Sequence, residues 1–520
     1  MTNYTSYQLK LPIDLSYAID FSDPVFTFRE VIDQLDLQKY FSSDTHSTGR
    51  PSYDPGKLLK VILFSFMENG YCSLRSIERS CKTDIRYIWL LDNVKAPSFM
   101  TIGNFINNTL SSSIEQIFND INSYIFERDS VDLDHVYIDG TKIEANSNKY
   151  TWVWKKACIT SRDKVFGYLT SLLEEINAST LAPFGVKITP REQYSVEHME
   201  EVMDFFTSVT GFDESSVVRG RGHRKSTVQR QYQKLTEYTA RLRNYAERIE
   251  ICGEGRNSYS KTDHDATFMR VKRDYMGNDQ LLPAYNMQIG VCDEYIAVVD
   301  AQKYASDMDC FVPLMEKFRS VYGKYPRYPV ADAGYGSYNN YLYCEEVGME
   351  KYMKFTMYNK TLNDRKYRDD PYNVRNFGRN EEGELICPKG KRIVFLHSKP
   401  VKGNRYGRTE EVYECEDCSG CPEKSSCTKS TGNRRIYINR ELTAIHEEVF
   451  GNLESTHGHL LRTNRSIQAE GTYGIIKWDR SYRRVYRRGL KNVILEFTLI
   501  SCGFNLYKYH NRKKRQENAA

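Results

Sequence analysis

The sequence predicts an α/β protein in which a mixed β-sheet is flanked by helices, with a helical amino-terminal domain and a cysteine-rich insertion. Three observations lead to this prediction. Residues 1–130 show helical patterns, strand-like runs begin near His135 and then alternate with helical segments, and five cysteines cluster within residues 387–427. Strands that alternate with helices after an initial strand indicate a mixed sheet. The 520 residues leave room for two to four domains.

The first 130 residues are predicted to form a set of short helices. Asp54-Pro55 supplies an N-cap followed by proline at the first helical position. Further helices are expected over Ser73–Cys81 and Thr83–Leu91, and a longer one follows Pro97-Ser98 and continues past Ile125. Short helices joined by tight turns are typical of helix-turn-helix-like DNA-binding domains, and a plain helical bundle is the alternative.

Residues 131–356 are predicted to contain the sheet. The run from His135 to Gly140 is rich in β-branched and aromatic residues, as strands are. The other expected strands are Leu281–Val291, Tyr295–Val299, Tyr328–Ala331 and Lys351–Thr356, and the expected helices are Asp307–Val321 and Tyr338–Val347.

A helical insertion is expected at about residues 150–260. Its 3-4 spaced stripe from Val228 to Ile249 predicts an amphipathic helix, paired with the segment Phe166–Ile176. A hairpin that packs on itself and a surface for self-association are the two interpretations.

The insertion at residues 357–440 is polar and contains the clustered cysteines, with strand-like runs at Arg392–Leu396 and Arg434–Ile438. Residues 441–510 are predicted to be helical and residues 511–520 to be a basic tail. The cysteine spacing is typical of a tetrahedral zinc site with one residue to spare, and reduced thiols without a metal are the alternative. The cysteines are Cys387, Cys415, Cys418, Cys421 and Cys427.

Charge and hydropathy limit the locations and the kinds of binding partner that are expected for the chain. No apolar run reaches transmembrane length and the amino terminus lacks a signal-peptide pattern, so a cytoplasmic location is expected. The net charge is only +5, but residues 459–520 contain 14 Lys and Arg against 4 Asp and Glu. Such clustering favours a polyanion as partner, with a solvated basic helix face as the alternative.

Three acidic residues are candidates for metal-dependent phosphodiester chemistry, which needs several carboxylates aimed at one point from rigid elements. Asp139 and Asp332 lie at the carboxyl ends of predicted strands, the usual position of sites in open α/β sheets. Strand alternation places Tyr137 and Asp139 on one face, opposite to Val136 and Ile138. Taken singly, an aspartate in such a position is more often a turn former or a helix cap.

Glu470 is the third candidate and is predicted to lie on a helix. At 100° per residue, Glu470, Tyr473 and Lys477 fall on one helical face, so Lys477 is placed to reach a phosphate. A surface helix with an i, i+7 charge pattern is the alternative. Gly471 and Gly474 argue against it, because glycines cost helix stability and imply that something approaches closely. The arginines that follow are expected to extend the basic surface along a duplex. They are Arg480, Arg483, Arg484, Arg487 and Arg488.

These motifs resemble a known family. The blocks YIDGTKIEANSNKYTWVWKK, VADAGYGS and NRSIQAEGTYGIIKWDRSYRRVYRRG are similar to the three acidic blocks of bacterial insertion-sequence DDE transposases. The closest resemblance is to the group numbered eleven-eighty-two, related to insertion-sequence families four and five. GRPSYDPGKLLKVILFSFMENGYCSLRSIERSC and KTDHDATFMRVKRD show the same resemblance. It implies an RNase H-like catalytic domain with Asp139 on the first strand, Asp332 after the fourth and Glu470 on a late helix.

The resemblance also implies an activity. The three acids would hold two Mg²⁺ ions, for which Mn²⁺ can substitute. The protein would bind the terminal inverted repeats of the element, cleave the DNA ends and join their 3′-hydroxyls to target DNA. The expected partners are double-stranded DNA and a second copy of the chain on that DNA, at the bacterial nucleoid. A catalytically silent DNA-binding protein and a nuclease without strand transfer are the alternatives.

Further residues follow from the resemblance. Related families show a Tyr-x2-Arg-x3-Glu-x6-Lys pattern, in which Lys477 matches the lysine. The arginine position of that pattern falls on Ser466, and Arg465 lies one residue away. The resemblance therefore supports the role of Lys477 more strongly than an arginine contact from Arg465. Trp152 and Trp154 are expected either to hold a flipped base or to pack in the core. Asp263 and Asp265 either assist the metal site or cap a loop.

Overall fold

The computed structural model of the chain describes residues 15–41, 53–220, 224–272 and 277–519. The described amino-terminal part is helical, as predicted, while parts of the predicted first domain at residues 1–14 and 42–52 lie outside it. Its helices are α1 (Pro24–Ile32), α2 (Pro55–Asn69), α3 (Leu74–Thr83), α4 (Ile85–Leu90), α5 (Phe99–Asn104) and α6 (Ile114–Asp129).

The ends of these helices follow local chemistry. Asp54 caps α2 by accepting hydrogen bonds from the backbone N–H groups of Gly56 and Lys57, as the sequence predicts. The single long helix expected after Pro97-Ser98 is wrong, because a π-helical segment and a 3-10 turn separate α5 from α6. In that junction the hydroxyls of Ser111 and Ser112 donate to backbone carbonyls and compete with regular helix bonding.

The centre of the molecule is a mixed sheet. The order across it is β6–β5–β1–β7–β8, and β4 pairs with the first residues of β5, beyond the end of β6. Neighbours β6, β5 and β1 run antiparallel, whereas β1, β7 and β8 run parallel. β2 and β3 form a separate ribbon. The strands are β1 (His135–Glu144), β2 (Trp152–Trp154), β3 (Ser258–Ser260), β4 (Thr267–Arg270), β5 (Leu281–Cys292), β6 (Tyr295–Gln302), β7 (Tyr328–Ala331) and β8 (Tyr352–Met353).

The first insertion forms a three-helix unit of α7 (Lys155–Ala178), α8 (Val196–Thr210) and α9 (Thr227–Cys252). Leu235 and Leu242 of α9 are buried with Leu169 and Leu173 of α7 in a core separate from that of the sheet. The predicted pairing of the stripe with Phe166–Ile176 is therefore confirmed. The sequence pattern missed α8.

Helices cover both faces of the sheet. α10 (Phe311–Tyr322) and α11 (Tyr338–Val347) follow β6 and β7, and α10 packs on β5 and β6. The segment after residue 465 lies against β1 and β5 from the other side. This arrangement confirms the mixed α/β prediction.

The second insertion begins with α12 (Tyr358–Asn363) and α13 (Arg365–Arg368) and also contains α14 (Lys424–Cys427). β9 (Gly378–Arg379) pairs with β10 (Leu385–Ile386). β11 (Ile393–Pro400), β12 (Thr409–Cys415) and β13 (Arg435–Ile438) form an antiparallel sheet with a small core of its own.

The carboxyl-terminal part contains α15 (Arg440–Glu454), α16 (Thr456–Arg465), α17 (Gly471–Gly474) and α18 (Leu490–Ala519). Two π-helical segments, Ser466–Glu470 and Ile475–Asp479, flank α17. The predicted continuous helix is wrong at residues 480–489. There the Glu496 carboxylate accepts hydrogen bonds from the Tyr482 hydroxyl and the Tyr486 N–H, and these bonds hold the segment in a non-helical conformation. Residues 511–519 of the predicted basic tail continue α18, and residue 520 lies outside the described residues.

One hydrophobic core joins the amino-terminal helices, the sheet and α18. α18 packs on α2, α6 and β6, so the core crosses the boundary predicted at residue 130. Among the described residues, no helix is both long enough and apolar enough to cross a membrane.

Candidate active site

Asp139 lies on the central strand β1, on the face that the alternation predicts. Its predicted position at the end of the strand is wrong, because pairing with β5 continues the strand to Glu144. Tyr137 on the same face receives a hydrogen bond from Asn464, and Asp139 faces Arg465 on the neighbouring helix α16. Burial raises the pKa of Asp139 to about 6, although the positive charge of Arg465 lowers it and Asp332 and Glu470 raise it.

Arg465 is the centre of the site. Its Nη2 lies 3.0 Å from Oδ1 of Asp139 and 3.8 Å from Oδ2 of Asp332, and its Nη1 lies 2.7 Å from Oε1 of Glu470. Its Nε donates to the backbone carbonyl of Ile138 at 3.2 Å. The arginine side chain is only 9% exposed, whereas those of Asp332 and Glu470 are 46% and 52% exposed. Thus the three predicted acids surround one buried guanidinium that opens to solvent on the side of Asp332 and Glu470.

A π-helical turn explains why Arg465 was not expected here. Regular α-helix brings residues four apart onto one face, but a π-turn uses one residue more. Ser466–Glu470 is such a turn, so Arg465 and Glu470, five residues apart, share a face. Arg465 therefore contacts Glu470, although the pattern places the arginine at Ser466. Ser466 itself donates from its hydroxyl to Glu470 Oε2 at 3.1 Å.

Of the two residues predicted to share a helical face with Glu470, Lys477 lies at the site and Tyr473 supports the fold. Lys477 Nζ donates to the Thr141 hydroxyl at 2.9 Å, two residues along β1 from Asp139. Tyr473 is buried and donates to the Met287 carbonyl, which fastens the helix to β5. Gly471 and Gly474 face open space, since a Cβ at either would meet nothing within 4 Å. This leaves room for a bound molecule above Glu470.

Two further cationic groups were missed by the sequence pattern. Lys354 follows β8, and burial together with Arg465 and Arg462 lowers its pKa, while Asp332 and Glu470 raise it. On the opposite face of β1, Lys142 Nζ binds Asp307 Oδ1 at 2.8 Å. A Cβ on Gly334 would lie 2.9 Å from Asp332 Oδ1 and 3.2 Å from Asp307 Oδ2, so Asp307 is a near neighbour of the site.

Asp307 belongs to a buried polar network under β1. Asn286 donates to Asp307 at 2.7 Å, Gln288 donates to Asn286 at 2.9 Å, and the Tyr335 hydroxyl donates to Gln288. A Cβ on Gly140 would lie 2.4 Å from Gln288 Nε2, so packing of this network requires glycine after Asp139. No motif in the sequence marks these residues, because they come from β5 and from two loops that only the folded sheet brings together.

Comparison with known families shows which domains the chain contains. A family described as Transposase DDE domain matches residues 256–398, and a second family of the same description matches residues 386–510. A family described as Transposase domain (DUF772) matches residues 14–108. The chain carries a transposase DDE domain. The DDE matches include Asp332 and Glu470, whereas Asp139 lies outside all three. No curated protein and no solved structure matches the chain.

The matched families give the chain a transposase role in DNA transposition, with DNA as its partner. DDE transposase domains generally use divalent metal ions such as Mg²⁺. In the described residues no group of three or more His, Cys, Asp or Glu side chains is arranged to hold a metal ion. The acids of the DDE domain nevertheless offer the oxygen ligands that Mg²⁺ prefers and converge on one positive charge, so the donor set fits a divalent cation.

The five arginines that follow Glu470 and Lys477 in the chain have different environments. Arg480 and Arg487 turn inward: Arg480 donates to the Phe66 carbonyl and Arg487 to the Asn107 side chain, and burial lowers the pKa of both. They hold the amino-terminal helices against the carboxyl-terminal part of the chain. They do not form the solvent-facing row that was predicted. Arg483, Arg484 and Arg488 are exposed, although Arg484 lies 3.6 Å from Glu144 and Arg488 donates to the Asn146 carbonyl.

Trp152 and Trp154 are not buried in the transposase core. They are 40% and 38% exposed, and both contact the Phe268 ring, at centroid distances of 5.1 and 6.0 Å. Asp263 and Asp265 act locally instead of at the site. Asp263 accepts from the Tyr285 hydroxyl, and Asp265 accepts from the N–H of Leu490, the first residue of α18.

The five clustered cysteines line one small cavity in the second insertion. None of them forms a disulfide. Arg434 donates from Nη1 to Cys427 Sγ at 2.8 Å and from its backbone N–H to Cys418 Sγ at 3.4 Å. Burial raises the pKa of Cys415 to about 12, which disfavours a free thiolate there.

Proposed function

We propose that the chain is the transposase of a bacterial insertion sequence of the group numbered eleven-eighty-two, acting by cut-and-paste transposition. The observation that carries the proposal is the convergence of Asp139, Asp332 and Glu470 on Arg465 at the centre of the sheet. The strand order β6–β5–β1–β7–β8, antiparallel on one side of β1 and parallel on the other, supports an RNase H-like catalytic domain.

The three acids are the proposed metal ligands and catalytic residues. When bound, two Mg²⁺ ions would supply an activated water and stabilise the leaving oxygen. Asp139 provides the most buried and most rigid ligand, since it lies within a paired strand. Asp332 and Glu470 are half-exposed and approach from separate elements, so they present ligands toward the solvent side where DNA arrives. Lys477 is placed to hold a phosphate beside Thr141.

DNA binding is proposed for two surfaces. The amino-terminal helices and the exposed residues Arg483, Arg484 and Arg488 bind the terminal inverted repeats, and Trp152 or Trp154 holds a flipped base at the cleaved end. Bringing two element ends together requires a dimer on DNA. The cysteine cavity is proposed to hold a structural zinc, which zinc analysis of the purified protein tests directly.

The test uses labelled DNA that carries the inverted repeats flanking the gene, together with a target plasmid and Mg²⁺ or Mn²⁺. The wild type is expected to cleave the ends and join them to the plasmid. Asp139→Asn, Asp332→Asn and Glu470→Gln are each expected to lose cleavage and joining and to keep DNA binding. Asp479→Asn, which changes an exposed acid at the end of the second π-helical segment, is the matched control and keeps activity.

Each outcome of this assay has a meaning. Binding without cleavage by the wild type would leave a catalytically silent DNA-binding protein, and cleavage without joined product would leave a nuclease. Normal cleavage by any one of the three acid variants would remove that residue from the proposed site.

A further inference from the structure

Glu144, the last residue of β1, lies where two separate parts of the chain meet. β7 pairs with β1 at residues 135–137, so it does not cover the outer edge of β1 near Glu144. The segment of residues 484–488 covers this edge instead. The Val485 N–H donates to the Glu144 carbonyl at 2.8 Å, and Arg484 forms a parallel bridge with Glu144. Backbone bonds therefore fix Arg484 beside the end of β1.

The loop after β1 is fastened to the same segment. The Asn146 side chain donates to the Tyr486 carbonyl at 2.7 Å, and Nε of Arg488 donates to the Asn146 carbonyl at 2.7 Å. The loop contributes a cation of its own to this region, Lys149. Lys149, Arg484 and Arg488 thus form one basic surface, although they come from segments that are far apart in the sequence.

A buried acid lies beneath this basic surface. Oε1 of Glu144 is 3.2 Å from Nζ of Lys149 and 3.6 Å from Nε of Arg484. The side chain of Glu144 is 12% exposed, whereas that of Arg484 is 45% exposed. Oε1 is buried and accepts no hydrogen bond within the described part of the chain, so the two cations offset the cost of burying its charge. Both cations therefore converge on the same oxygen atom.

The carboxylate of Glu144 keeps Lys149 and Arg484 together. Two cations at this separation repel each other, and the negative charge between them offsets the repulsion. Arg484 faces the acid with Nε, which leaves Nη1 and Nη2 of its guanidinium to bind another acceptor. A guanidinium fixed in this way can bind two oxygens of one phosphate, and a lysine adds a point charge beside it.

We infer that Glu144 is a positioning residue for DNA binding, which holds Lys149 and Arg484 side by side so that both bind phosphates of one duplex. The inference rests on the proposed function, which assigns Arg484 to DNA, and it adds Lys149 and the loop after β1 to that surface. Glu144 itself does not touch the DNA. Its removal makes the surface more positive, and yet it weakens binding, because the two cations are no longer held in place.

Fluorescence anisotropy with the full-length protein and a labelled inverted-repeat duplex tests the inference. The titrations contain EDTA, so that the DNA stays uncleaved, and they are repeated at several KCl concentrations. Glu144→Gln is expected to bind about tenfold more weakly than the wild type, the size of one lost charge-assisted hydrogen bond. The slope of log K against log salt concentration is expected to become shallower by about one for each lost phosphate contact. Unchanged binding overturns the inference, and so does tighter binding with a steeper slope, which the loss of a negative charge alone would produce.

A set of combined variants separates positioning from a general structural role. The double variant Lys149→Gln/Arg484→Gln is expected to bind at least as weakly as Glu144→Gln. Adding Glu144→Gln to that double variant should change the affinity no further, because the acid acts through these two cations. A further loss in the triple variant overturns the inference.

Glu200→Gln is the matched control, since it removes the acid of an exposed ion pair with Arg243 in the three-helix unit. It should keep the affinity and the salt slope of the wild type. Melting temperatures show whether each variant folds. If Glu144→Gln does not fold, the double variant decides, and wild-type affinity and slope in that variant overturn the inference.

The two proposals fail separately. If the wild type cleaves no element end but Glu144→Gln weakens duplex binding as expected, the transposition chemistry falls and the role of Glu144 stands. If cleavage and joining occur while Glu144→Gln and the double variant bind DNA as the wild type does, the role of Glu144 falls and the proposed function stands.

Discussion

Arg465 supplies the positive charge that allows three carboxylates to lie close together. Two acids on the same site repel each other and raise each other's pKa, and burial raises it further. The guanidinium offsets this repulsion with a hydrogen bond or an ion pair to each acid, and it is anchored by the Ile138 carbonyl. A divalent cation that binds the same three acids would compete with Arg465 for them.

Replacing Arg465 tests this competition. Arg465→Met is expected to lower the melting temperature in EDTA, because breaking a buried ion pair costs about 3–5 kcal/mol, less for the half-exposed Asp332 and Glu470. Mg²⁺ is expected to raise the melting temperature of the variant more than that of the wild type. Arg462→Met, a control on the same helix that loses its pair with Glu454, should show the wild-type Mg²⁺ effect. Equal Mg²⁺ effects in all three proteins would contradict the competition.

Asp139 should make stability depend on pH. Its pKa is about 6 in the folded protein against an ordinary 3.8, so the folded protein binds this proton more tightly than the unfolded chain. The stability that protonation contributes is fully present below pH 3.8 and is lost as the pH rises through 6. The loss corresponds to roughly 3 kcal/mol, at 1.36 kcal/mol for each pKa unit.

Asp139→Asn is therefore expected to melt at a higher temperature than the wild type above about pH 7 and at a similar temperature near pH 4. The gain is smaller than the full loss, because Arg465 gives up one ionic partner. Thermal melts across this pH range, without added metal, provide the measurement. Asp479→Asn, which removes an exposed acid, should show no such trend; a variant curve parallel to the wild type would refute the role of Asp139 burial.

The acids of the site could be predicted from the sequence, but the arginine between them could not. The sequence predicts Asp139 and Asp332 at strand ends and Glu470 on a helix. The structure brings all three to one guanidinium, although Asp139 lies within β1 and not at its end. Arg465 was set aside because the pattern counts residues as if the helix were regular. The π-turn at Ser466–Glu470 changes that count, and single-sequence periodicity does not reveal a π-turn.

At the scale of elements, regular strands and helices with clear periodicity were predicted closely. Tyr328–Ala331 and Tyr338–Val347 have the expected bounds. The errors occur where side chains compete with the backbone or where distant residues fix the chain. Serines break the predicted helix after Phe105, and the buried Glu496 carboxylate holds residues 482–486 out of helical form.

The contact between α18 and α2 depends on one glycine. A Cβ on Gly503 would lie 2.4 Å from the backbone carbon of Phe66 and 2.7 Å from the nitrogen of Met67, and these are backbone atoms that cannot turn aside. Gly503→Ala is therefore expected to destabilise the protein by about 1–3 kcal/mol or more, as overpacking of a core does.

Gly451→Ala is the matched control for this contact. Gly451 lies within α15 and a Cβ there would meet nothing within 4 Å, so the substitution should be neutral or stabilising by about 0.5–1 kcal/mol. Denaturant titrations of both variants give the comparison. Equal stabilities of Gly503→Ala and the wild type would show that α2 and α18 are not packed this closely.

At the scale of the whole molecule, the chain is built from parts with different degrees of independence. The three-helix unit α7–α9 and the cysteine-bearing insertion have cores of their own. The amino-terminal helices share theirs with the sheet and α18. Asn505 of α18 donates to Asn122 of α6 at 2.7 Å, and His510 lies 2.9 Å from the Thr27 hydroxyl of α1. Sequence patterns mark where helices lie but not which of them share a core.

This difference predicts how fragments behave. A fragment of residues 1–130 lacks the apolar surface of α18 and β6 on which α2 and α6 pack, so Ile62, Phe64 and Phe118 would lose part of their burial. It is expected to show residual helix by circular dichroism and no cooperative thermal transition, because exposed apolar surface costs about 25 cal/mol per Å². A fragment of residues 150–257 retains its core and is expected to melt cooperatively. Adding a peptide of residues 488–520 should restore a transition to the first fragment, and a cooperative transition without that peptide would show that residues 1–130 are an independent domain.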